Sequence, residues 1–139
     1  MTMHRTRPSL QPLGTRAALV DGSALDQVRA LLGAARLDQL LGLFEAQLVD
    51  APSAISVAVA DCDFPAASAE ALRLHRAAVG LGAPLVAAAA LDLHGCLSAT
   101  HPRPRQLVPA LGRLSNDARR TSDAIRRARR RAATGRVHA

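Results

Sequence analysis

Residues 71–83 read A-L-R-L-H-R-A-A-V-G-L-G-A and are closed by Pro84. Set on a helix at about 100° per residue, Ala67, Ala71, Leu74, Ala78 and Leu81 recur every three or four positions and make one seam of small apolar groups. A second stripe, Leu72, His75, Arg76 and Val79, follows the spacing i, i+3, i+4, i+7. It gathers an imidazole, a guanidinium and two aliphatic side chains on the adjoining face. A seam of small residues suits close packing against other helices, so the adjoining face is the candidate working surface.

Upstream, Asp63 before Phe64-Pro65 reads as the N-cap of this helix. Downstream, Gly80 and Gly82 end it, the second as a left-handed C-cap where a side chain is costly. Before it, Leu37, Leu40, Leu41, Phe44 and Leu48 give the clearest amphipathic helix, which is expected to stop before Pro52. Residues 53–60 alternate as a strand might, with Ile55, Val57 and Val59 on one side. No partner strand is visible elsewhere, so a short helix beginning at Pro52 is the preferred reading. A first helix is expected from an N-cap at Ser23 to Gly33, with Leu25, Val28, Leu31 and Leu32 as its apolar face.

After Pro84 the run LVAAAALDLHG is apolar nearly all round, which makes it the candidate for the most enclosed helix of the bundle, closed by Gly95 with room for Cys96 and Leu97 to add a turn. A linker, SATHPRPRQ, leads to a last helix with Leu107, Leu111, Leu114, Ala118 and Ile125 on one side and arginines on the rest. This helix is expected to pack as far as Ile125 and to fray beyond. No internal repeat is read in the chain. The fold class is therefore all-α: an antiparallel four-helix bundle with a short N-terminal helix and a basic C-terminal helix, its long helices roughly 20° from antiparallel. Residues 1–20, with Pro8, Pro12 and Gly14, read as a mobile arm; 21–133 form the bundle; 134–139 are a disordered tail.

One domain of 139 residues is long enough to bury a core, here built from Leu, Val and Ala because the chain has two Phe and no Tyr or Trp. All 18 basic residues are arginine, which together with the abundant alanine reads as GC-rich coding and points to a bacterium. Between residues 17 and 95 four arginines face nine acids, whereas from Arg103 onward eleven arginines face only Asp117 and Asp123. Cys62 and Cys96 have no metal-type spacing and read as free thiols of a reducing cytoplasm. No apolar run is expected to approach the ~20 residues of a membrane span. No h-region of a secretory signal is present. His94, His101 and His138 are too scattered for zinc, no metal or cofactor is expected, and no Gly-rich phosphate loop, G-x-S-x-G or paired-acid motif suggests an independent enzyme.

Residues 71–83 resemble the signature of histidine phosphotransfer domains, which reads roughly A-H-x-L-K-G-S-A-x-x-L-G-A. Ala71, Leu74, Ala78, Leu81, Gly82 and Ala83 fall on the pattern. The phosphorylated histidine of that family aligns with Leu72, its lysine with His75 and its small glycine with Arg76. The resemblance spans about residues 21–115, with the central motif its specific part. It implies the same antiparallel four-helix bundle with a short helix before it. It further implies a place in a two-component phosphorelay, with a response-regulator receiver domain or a histidine kinase as partner.

Leucine has no nucleophile, so the chain reads as a degenerate member. In one version His75 has become the phosphoacceptor, with Arg76 and Arg73 stabilising the developing charge. In the other, the face of Leu72, His75, Arg76 and Val79 docks a partner without carrying phosphate. The plain alternatives are a surface histidine without phosphate chemistry and a Leu72 tucked under the N-terminal arm. A reading of another class is a basic-tailed module binding nucleic acid or another polyanion through Arg119–Arg131, against a solvated helix end whose arginines suit the helix dipole.

Overall fold

The computed structural model describes residues 19–138, which form five helices and no strand. These are α1 (Gly22–Leu32), α2 (Ala34–Ala60), α3 (Phe64–Gly80), α4 (Pro84–Leu97) and α5 (Pro104–His138). Nearly all of the expected N-terminal arm lies outside the described residues. The helices α2, α3, α4 and α5 form a closed circuit of neighbours, each in contact with the next and α5 again with α2, while α1 lies on α2. Leu48, Ile55, Leu74, Leu93 and Leu114 fill the centre. On α3 and α4 the innermost positions include Ala67, Ala71, Ala78 and Ala90, all without exposed surface. With so little side chain between them, these two helices share the most extensive contact in the molecule.

Local chemistry sets most of the boundaries. The cap of α1 is Asp21, not the expected Ser23: its carboxylate accepts the backbone N–H of Ser23 at 3.0 Å and of Ala24 at 3.4 Å. Gly33, at φ +91°, separates α1 from α2. Asp63 caps α3 as expected, accepting the N–H of Ala66 at 3.3 Å. At the other end the N–H of Ala83 returns to the carbonyl of Ala78 at 2.9 Å and that of Gly82 to Val79, the paired bonds of a Schellman ending. Gly82 has φ +72°, the left-handed value expected of it.

Two helices run further than the sequence suggests. The expected stop before Pro52 and new start at it do not occur, because α2 continues unbroken from Ala34 to Ala60. Proline removes the N–H that would bond the Leu48 carbonyl, a cost of about 3 kcal/mol in a typical helix interior. Here Leu48, Ala51, Pro52 and Ile55 are all buried in one stripe, and their packing outweighs that loss. Val57 is 62% exposed while Ile55 is fully buried, so the alternation of a strand has no counterpart. The continuous α2 is also long and apolar enough, by length and composition, to cross a membrane, a length the proline conceals in the sequence. Its buried stripe, Leu37, Leu41, Phe44, Leu48 and Ile55, is occupied by the neighbouring helices. The helix α4 takes the further turn that Cys96 and Leu97 allow beyond Gly95 and ends at Leu97, while on its outer side Leu91 and Asp92 are exposed.

The second extension is α5, which does not fray after Ile125 but runs to His138, past position 134. Two of its arginines there, Arg126 and Arg129, are held by acids of α2. Arg129 lays its guanidinium on Asp38, with Nε to Oδ1 at 3.0 Å and a second nitrogen to Oδ2 at 3.3 Å, and donates a third bond to Glu45 at 3.0 Å. Arg126 donates to the other oxygen of Glu45 at 3.0 Å. The hydrogen bond to Asp38, then that to Glu45, raises the pKa of Arg129 above its ordinary value. Gly42 leaves the space: a Cβ there would stand 3.3 Å from the guanidinium. Arg129→Ala should therefore destabilise the chain by about 1–3 kcal/mol. Backbone amides of residues 119–135 should exchange faster with solvent deuterium while those of α3 and α4 hold; unaltered exchange in 119–135 would contradict the clamp.

Candidate functional site

The periodicity of α3 places Ala67, Ala71, Leu74 and Ala78 in the core and turns Leu72, His75, Arg76 and Val79 to its flank. Leu72 and His75 are half-buried, Arg76 is exposed and Val79 is 59% exposed. The four residues thus share one partly solvent-facing surface, as their spacing predicts. Arg73, by contrast, is bound to Glu70 in an ion pair. Arg76 makes no ion pair or hydrogen bond among the described residues, so its charge is open to a partner.

His75 is not a free surface imidazole. Its Nδ1 lies 2.8 Å from the backbone carbonyl of Ala87 on α4. A carbonyl only accepts, so Nδ1 carries the proton and, in the neutral ring, Nε2 holds the lone pair. The structure contains the same device in reverse, because His94 of α4 directs its Nδ1 to the carbonyl of Ser68 on α3 at 3.2 Å. Each helix of the pair therefore binds the backbone of the other through one histidine.

That reciprocity exposes a repeat in the chain, contrary to the expectation of none. Residues 71–75 are Ala-Leu-Arg-Leu-His and residues 90–94 are Ala-Leu-Asp-Leu-His. Ala71 and Ala90, and Leu74 and Leu93, take equivalent fully buried positions, while Leu72 and Leu91 take equivalent outer ones, Leu91 being 46% exposed. The candidate surface accordingly belongs to an α3–α4 pair and not to α3 alone. The signal was present in the sequence as two pentapeptides differing at one position, but residues 71–75 read alone as part of a single motif.

Beside His94 lies a hydroxyl cluster that the sequence did not suggest. Ser68 Oγ is 2.8 Å from His94 Nδ1 and 3.0 Å from Ser98 Oγ, at the edge of a cleft that also includes Phe64, Pro65 and Thr100. Nδ1 faces both this hydroxyl and the Ser68 carbonyl, which can only accept; in the tautomer that satisfies the carbonyl, Nδ1 carries the proton and takes none from the serine. Among the described residues no group of three or more His, Cys, Asp and Glu side chains could hold a metal ion. Cys62 and Cys96 are free thiols, the first exposed at φ 56° and the second half-buried.

The basic helix is partly spent within the fold. Arg126 and Arg129 hold α2, Arg119 bonds the Asn116 side chain at 2.9 Å, and Arg120 stands 3.9 Å from Asp117. Arg127, Arg130 and Arg131 are exposed and make no ion pair among the described residues. Comparison of the chain with family models, with curated proteins and with solved structures returns no match.

Proposed function

We propose that this chain is a docking module of phosphorelay signalling, a degenerate bundle of the histidine phosphotransfer type in which α2–α5 are the four antiparallel helices and α1 the short preceding one. Its partner is the receiver domain of a response regulator or a histidine kinase, in a bacterial cytoplasm. The observation that carries this reading is the surface of α3, where Leu72 and Val79 give apolar area beside the unanswered charge of Arg76. A partly apolar patch with a cationic edge complements an acidic cleft, the type of surface through which charge steers encounter and apolar contact holds the complex. The small-residue core of α3 supports it from behind by fixing the helix against α4. The commitment of Arg126 and Arg129 to α2 weighs against the polyanion alternative, since it removes two cations from the surface such a ligand would track.

Phosphotransfer through His75 is the active form of the same reading, favoured by one observation. The bond from Nδ1 to Ala87 leaves Nε2 as the nitrogen with a lone pair. In that form Nε2 attacks the phosphorus of an aspartyl phosphate, the P–O bond to the aspartate breaks, and the carboxylate departs as a P–N bond forms. Against a panel of receivers and kinases, Leu72→Glu should weaken a detected complex at least tenfold while circular dichroism stays that of the parent. Full retention of binding by that variant would overturn the docking surface. Acid-labile, base-stable label lost in His75→Ala would establish the active form, and label undiminished in that variant would remove His75.

A further inference from the structure

The likeness of α3 and α4 extends beyond their pentapeptides to their placement. His75 bonds the Ala87 carbonyl and His94 the Ser68 carbonyl, so the helices run antiparallel, and the interval that carries His75 onto His94 also carries Ser68 onto Ala87. Exchanging the two helices therefore turns each bond into the other. The pair has an internal two-fold axis, which passes between the helices beside Ala71 and Ala90. Pro65 and Pro84, each in the first turn of its helix, obey the same exchange.

On its outer side the pair presents Leu72 and Leu91 astride this axis, the first half-buried and the second 46% exposed. Among the outward positions around them the one charge is Arg76. Its counterpart under the exchange is Gly95, which is exposed and has open space where a side chain would stand. Gly95 lies in the last turn of α4, where the carbonyls form the negative pole of the helix. The face thus carries a cation on one half and, at the equivalent place on the other, a gap over a negative helix end. A knob and its own socket on one surface are what an isologous contact requires, in which residue i meets j and j meets i.

We propose that this face binds a second copy of the chain through itself. With a two-fold axis in the plane of the face and the two helix pairs crossing near a right angle, Arg76 of each copy lies over Gly95 of the other. Leu72 and Leu91 of both copies then meet at the centre. A partner carrying the same two halves answers the cation and the gap at once. The overlap is about two helix diameters on each side, roughly 400 Å² from each copy. That is about half of a standard interface, so the dimer is weak and exchanges with a monomer whose face is free for another partner. The dimer does not depend on the phosphorelay reading.

Sedimentation equilibrium of the full chain, from micromolar to millimolar concentration, should show a reversible monomer–dimer equilibrium. Leu91→Glu should weaken it at least tenfold, with helix content by circular dichroism that of the parent. Gly95→Arg, which fills the gap and sets like charges face to face, should do the same. Adding Arg76→Ala to Gly95→Arg moves the arginine to the equivalent place on the other helix and should restore most of the lost affinity. A chain that stays monomeric throughout the range overturns the proposal. So does a dimer indifferent to Leu91→Glu or to Gly95→Arg, or a double variant no tighter than Gly95→Arg alone. A monomeric chain that binds a receiver ends the dimer and spares the docking module; a dimer that binds no receiver or kinase does the opposite.

Discussion

Leu74→Ala should be among the most damaging single substitutions in this chain, lowering its stability by about 2–5 kcal/mol. Leu74 has no exposed surface and stands at the middle of α3, the helix in most extensive contact with its neighbour. The residues around it on its own helix, Ala67, Ala71 and Ala78, are too small to move into the vacated space. The cost is therefore the lost transfer free energy of the removed methyl groups together with an unrelieved cavity. Urea unfolding followed by circular dichroism is the natural measurement, since the chain has no Trp or Tyr to report by fluorescence. The midpoint should fall with the slope unchanged, as expected when the folded state alone is weakened. A loss below about 1 kcal/mol would mean that the α3–α4 seam collapses more readily than close-packed alanine allows. Leu93, the equivalent position in the repeated pentapeptide, should behave alike.

Gly82→Ala should cost about 2–4 kcal/mol, for two additive reasons. The backbone there has φ +72°, and a β-carbon in that region carries a penalty of about 1–2 kcal/mol. The new carbon would also stand 2.8 Å from the β-carbon of Ala24 and 3.2 Å from the Asp21 carbonyl, neither of which is the far end of a flexible chain. The same turn holds α1 in place, because the N–H of Asp21 donates to the Gly82 carbonyl at 2.6 Å. The substitution should therefore free α1 as well as strain the turn, visible as faster amide exchange across residues 22–32 than across α3. Equal protection of α1 in variant and parent would show that α1 is held by α2 alone. Gly80, with open space around its α-carbon, serves as the control and should tolerate alanine.

The working face shows what periodicity can and cannot deliver. Leu72, His75, Arg76 and Val79 lie together because four positions at helical spacing must, once the seam beside them is buried. The partner of His75 was not legible, because Ala87 supplies a backbone carbonyl and any residue at that position would carry one. What the sequence did hold was the second Leu-x-Leu-His at residues 91–94, and with it the reciprocal bond from His94.

By its own pattern the chain determined that it is helical, which side of α3 is buried, and that glycine occupies the left-handed turn at position 82; these follow from intervals of three and four residues and from the steric demand of a β-carbon. Tertiary structure decided the rest. Proline at 52 ends a helix when judged by the bond it removes, yet α2 persists because the core on one side of it is worth more than that bond. The basic end of α5 repels itself in isolation, yet Arg126 and Arg129 meet Glu45 and Asp38 across more than 80 residues of chain. Local rules count only the neighbours along the chain, and the energies that overrode them come from neighbours brought there by folding.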